Sequence, residues 1–72
     1  MDNKPTLNQI SHLAEFIQRD EALQKHFDLT DTWEKISILT LKQIKYIHFL
    51  ILKGKRAKLN QLITDIGFKP KQ

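Results

Sequence analysis

Two short strings, Thr6-Leu7-Asn8-Gln9 and Thr40-Leu41-Lys42-Gln43, mark helix starts in this 72-residue chain. In each, the threonine hydroxyl can accept an orphan backbone N–H. The glutamine three residues on can reach back to the threonine N–H, which completes a capping box. Apolar residues follow at helical spacing. Leu7, Ile10, Leu13, Ala14 and Ile17 fall on one arc with Phe16 at its margin, while Asn8, Ser11, His12, Glu15 and Arg19 take the other side. The pattern predicts a helix over 7–19.

Asp20 is placed to cap a short continuation over 21–27 that buries Leu23 and Phe27. Asp28-Leu29-Thr30-Asp31 is a polar break, after which Thr30 or Asp31 starts another short helix carrying Trp33 and Ile36, with Glu34 spaced to complete a box from Asp31. The second box opens a helix over 41–53 that Gly54 stops. Tyr46 to Leu52 also has strand-like content, but the cap before it and the glycine after it favour helix. The last helix begins near Arg56 or Ala57, with Leu59, Leu62, Ile63 and Ile66 on one face. Gly67, Phe68 and Pro70 end it, Phe68 folding back on Ile63. The expected fold class is all-α: one small bundle of four to five short helices over 6–68, between a flexible 1–5 and a flexible basic tail at 69–72.

A chain this short buries a modest core, and with no cysteine it has neither disulfide nor thiolate metal site to supplement it. Its N-terminus lacks the apolar core of a signal peptide, and its longest apolar run is far below the ~20 residues that span a bilayer. The expected setting is cytoplasmic, without membrane.

Charge is sorted by half. Residues 1–39 carry seven acids against four bases, a net of −3, whereas 40–72 carry eight bases against the single acid Asp65, a net of +7. Such blocks attract polyanions or acidic protein surfaces. Lys53, Lys55, Arg56 and Lys58 cluster around Gly54. The helix macrodipole favours the first two at a helix C-terminus, but Arg56 and Lys58 open the next helix, where cations are disfavoured. There they would join backbone amides as a phosphate-binding end. Lys42, Lys45, Lys69 and Lys71 are candidate auxiliary contacts.

On a wheel of the 41–53 helix, Leu41, Ile44, Ile47, His48, Ile51 and Leu52 form a core stripe. Tyr46, Phe49 and Leu50 fall outside it, and Tyr46 and Phe49 share a side with Lys42 and Lys53. These three are candidates for a protein-interaction face or for stacking on nucleotides. Trp33 is expected as a cover over the central helix. Exposed, it would be an interface anchor.

The stretch 40–69, TLKQIKYIHFLILKGKRAKLNQLITDIGFK, resembles the opening two helices of helix-turn-helix and winged-helix regulators. An apolar helix ends at glycine, a polar linker follows, and Leu59, Leu62, Ile63, Ile66 and Gly67 match a Leu-x-x-Leu-Ile-x-x-Ile-Gly pattern. The resemblance implies a recognition helix just after Phe68, where only Lys69-Pro70-Lys71-Gln72 follow. Contact with DNA would then use another helix or be non-specific.

No catalytic constellation is visible. No Ser-His-Asp or Cys-His pairing and no glycine-rich phosphate loop occurs, and Glu15–Arg19 reads as a surface pair worth about 0.3 kcal/mol. His12, His26 and His48 read as three unrelated residues with no ligand pair at i,i+4. The expectation is a non-enzymatic regulator without metal, cofactor or small-molecule substrate, binding nucleic acid, DNA foremost, through its basic half. The alternative is a protein-interaction module or inhibitor docking a larger machine through an apolar and basic helix face. Its bipolar charge would also permit a homodimer.

Overall fold

Both capping boxes form. In the computed structural model, which describes residues 4–71, Gln9 N–H donates to Thr6 Oγ1 and Thr6 N–H to Gln9 Oε1. Thr40 and Gln43 make the same pair of bonds. Each box opens a helix of 13 residues: α1 is Leu7–Arg19 and α4 is Leu41–Lys53. Between them lie α2, Glu21–His26, and α3, Thr32–Ser37; α5, Arg56–Asp65, follows α4. The fold class is all-α, as expected, with five short helices among the described residues. Among the described residues no helix is long and apolar enough to cross a membrane.

Helix ends follow local chemistry. Asp20 closes α1 through its N–H to Ile17 O and opens α2 by accepting Leu23 N–H at 3.0 Å. Gly54, at φ +68°, lets Lys55 N–H return to Leu50 O, and Gly67, at φ +110°, lets Phe68 N–H return to Ile63 O. Both are Schellman closures, and the second buries Phe68 in the same core as Ile63. One expected cap is missing. Asp31 makes no side-chain capping bond to α3. The preceding turn is organised instead by Asp28, which accepts from Thr30 N–H and Oγ1, and by the buried Thr32, whose hydroxyl donates to Leu29 O.

The core gathers Ile10, Leu13, Ala14 and Ile17 of α1, Leu23, Phe27, Ile36 and Leu39 of the middle segment, Ile44, Ile47 and Leu50 of α4, and Leu59, Ile63 and Phe68. Helix α1 is the hub, packing against α2, α3 and α4, while α5 packs on α4. The contacts of α1 and α4 come in matched order. Asn8 and Gln9 share a groove with Leu41 and Ile44, His12 meets His48, and Asp20 meets Arg56 just past α4. The two helices therefore run side by side in the same direction.

Of the flexible ends expected, Met1–Asn3 and Gln72 lie outside the described residues. Lys69–Lys71 does not trail away: Phe27 and Pro70 form an antiparallel bridge, flanked by Asp28 N–H to Lys69 O and Lys71 N–H to His26 O, both 2.8 Å. Pro70 is tolerated because Phe27–Pro70 is the non-hydrogen-bonded pair, where no donor is needed.

Candidate nucleic-acid interface

Helix α4 sits between two neighbours, and this sets which face remains free. Its buried residues are Ile44, Ile47 and Leu50, with Leu41, His48 and Ile51 half-buried. The expected stripe holds but for one exchange, Leu50 in place of Leu52. Leu50, a candidate surface residue, is 1% exposed, and Leu52, expected in the core, is 68% exposed. The cause is α5. Turning back at Gly54, it packs on α4 and brings Leu59 and Ile63 into the same core as Leu50, which a wheel of α4 alone cannot anticipate.

The face left over carries Lys42, Lys45, Tyr46, Phe49 and Lys53, all exposed. The Tyr46 and Phe49 rings are stacked, with centroids 6.4 Å apart and planes 14° from parallel, and they are 41% and 44% exposed. Lys58 of α5 borders Tyr46 in a shallow depression with Gln61, Leu62 and Asp65. Helix α4 contains no acidic residue, so Asp65 is the carboxylate at the edge of this patch.

Arg56 and the tail lysines have partners elsewhere. Arg56 donates from both terminal nitrogens to the Asp20 carboxylate, at 2.9 and 2.7 Å. This bidentate pair pulls the Asp20 carboxyl below the usual carboxylate range, chiefly through the guanidinium hydrogen bonds and against partial burial, and raises Arg56 correspondingly. A guanidinium fork so engaged has both terminal nitrogens committed to Asp20, unlike its lysine neighbours. Lys55 is exposed on the turn. Lys69 shares a depression with Asp28, Asp31 and Lys35, and the charges of Lys71 and Lys69 help lower the Asp28 carboxyl after its bonds from Thr30. The tail lysines thus serve the acidic turn before α3.

Trp33 is 43% exposed on α3, which packs on α1. Ile38, at the end of α3, is 82% exposed.

The histidines are not all unrelated. The His12 and His48 rings lie 5.7 Å apart, and Phe16 packs edge-on to His48 at 4.5 Å. Burial holds the His48 imidazole below the usual histidine range, and the neighbouring His12 adds to this. Sequence reasoning missed the pair because it depends on the register of α1 against α4; the two matching boxes were the available signal for that register. Among the described residues, no three His, Cys, Asp or Glu side chains gather as a metal site.

Taken together, these features define a small all-α domain with one lysine-flanked aromatic face. No protein-family model, curated protein or solved structure matches the chain.

Proposed function

We propose that this protein is a non-enzymatic, cytoplasmic regulator that binds nucleic acid, DNA foremost, through the exposed face of α4. The observation that carries the reading is the stacked Tyr46–Phe49 pair held open among Lys42, Lys45, Lys53 and Lys58. Aromatic faces accept bases of any identity, and the lysines neutralise the backbone running past them, the combination used for single strands. This face replaces the start of α5 as the contact surface, because Arg56 is engaged with Asp20. Beyond α5, Lys69–Lys71 is extended and paired with the 26–28 segment, so the reading relies on α4 rather than on a recognition helix following Phe68.

The test is fluorescence anisotropy with labelled single-stranded and duplex DNA at two salt concentrations. Single-strand binding is expected to weaken with salt, each neutralised phosphate contributing about −0.7 to the logarithmic slope. Tyr46→Ala with Phe49→Ala should weaken it by roughly tenfold or more, since stacking contributes about 1–3 kcal/mol per base. Lys42→Glu with Lys53→Glu should abolish it. Absence of binding at low salt, or binding indifferent to both double variants, overturns the reading.

A second reading, a protein-interaction module, draws on Trp33 and on Ile38 at the end of α3, both exposed. Leu50 no longer contributes to it, being buried. Capture of a protein lost on Trp33→Ala but not on Tyr46→Ala would favour this alternative.

A further inference from the structure

A groove between α1 and α4 runs along the edge of the core, apart from the stacked aromatic pair, and its lining is chemically one-sided. Leu41 and Ile44 supply its apolar surface, and Lys45, His12, His48, Asn8 and Gln9 supply its polar groups. No carboxylate lines it. Its volume, about 340 Å³, lies at the small end of ligand sites, which run from about 300 to 1,000 Å³.

Each polar group there suits an anion. Lys45 is a cation with no acid on its own helix. The two imidazole rings, with centroids 5.7 Å apart, are close enough to approach one anionic group together. Gln9 spends its carbonyl oxygen on the Thr6 N–H, leaving its amide hydrogens available as donors. The first turns of α1 and α4 contain no acidic residue, so neither helix start is offset by a local carboxylate. A divalent cation has the wrong sign for this lining, since Lys45 shares the groove and no carboxylate offsets it.

We propose that this groove binds a small organic anion. An apolar body the size of one ring sits on Leu41 and Ile44, and its carboxylate or phosphate is held by Lys45, His12 and His48. The site shares Lys45 with the face proposed for nucleic acid, but Tyr46 and Phe49 take no part in the groove.

The test is a titration of ¹⁵N-labelled protein with benzoate and with phenyl phosphate, followed by amide and imidazole NMR shifts. Benzyl alcohol serves as the uncharged control and inorganic phosphate as the control without an apolar body. Saturable shifts at Asn8, Gln9, Leu41 and Lys45, with a rise in the His48 pKa, are expected for one or both aromatic anions. The tighter of the two identifies the preferred anionic group. Lys45→Gln and His12→Gln, both at exposed positions, should each weaken binding by about tenfold, as expected for loss of a charge-assisted bond. Tyr46→Ala with Phe49→Ala should retain it. Equal binding of benzyl alcohol overturns the role of charge, and equal binding of inorganic phosphate overturns that of the apolar surface. Shifts centred on Tyr46 and Phe49, or no saturable shift at millimolar ligand, overturn the site itself.

Discussion

The Asp20 carboxylate and the Arg56 guanidinium meet as a bidentate pair across 36 residues of sequence, fastening the α1–α2 junction to the start of α5. Asp20 also caps α2 through Leu23 N–H, so its removal breaks two things at once. The cap is worth about 1 kcal/mol, and a partly exposed ion pair of good geometry adds about 1 kcal/mol. Asp20→Ala is expected to lower the unfolding free energy by about 2 kcal/mol and Arg56→Ala by about 1 kcal/mol, read from urea denaturation. The double variant should resemble Asp20→Ala, because the shared interaction is lost only once. Additive losses would show that the pair contributes nothing as a pair.

The same pair sets a pH dependence. The Asp20 carboxyl titrates lower in the folded chain than in the unfolded one, with the Arg56 bonds as the first cause. Its contribution is complete above the unfolded value near 3.9. It is lost as pH falls through the folded value, because the unfolded state then binds the proton first. Stability curves below about pH 5 should therefore fall less steeply for Asp20→Ala than for the parent protein.

His48 gives a second, separate window. Its folded pKa is lowered by burial and then by His12; Phe16 packs on its ring, and Lys45 shares its groove. A base with a lowered folded pKa gives its full contribution above the unfolded value near 6.5. That contribution is lost as pH falls below 6.5 toward the folded value. Between about pH 7 and pH 5, His48→Phe is expected to flatten the dependence of stability on pH. An unchanged slope would place the titrating group elsewhere.

Leu50 and Leu52 test the orientation of α4. Leu50, at 1% exposure, is expected to cost about 2–5 kcal/mol when replaced by alanine. Leu52, at 68% exposure, should cost less than about 0.5 kcal/mol. Thermal melts of the two single variants decide the matter, since a loss of this size in so small a domain shifts Tm by about 10 °C or more. A larger shift for Leu52→Ala than for Leu50→Ala would return α4 to the rotation read from its own wheel.

Where α1 and α4 start, and where α4 and α5 stop, was written in the chain, because capping boxes and Schellman closures are made between residues three to five apart. Thr6 with Gln9, Thr40 with Gln43, Gly54 and Gly67 needed no distant partner to act. The sorting of charge between halves was equally plain. Which face of α4 looks outward was not, since that depends on where α5 lands after the Gly54 turn. Nor did the sequence reveal that α1 and α4 lie in parallel register, which brings Asp20 to Arg56 and His12 to His48 at one common separation of 36 residues. Pro70, legible as a stop, carried no sign that its neighbours would hydrogen-bond to His26 and Asp28. Local hydrogen bonds are fixed by neighbours in the chain, whereas burial and ion pairing belong to surfaces that exist only once the helices have packed.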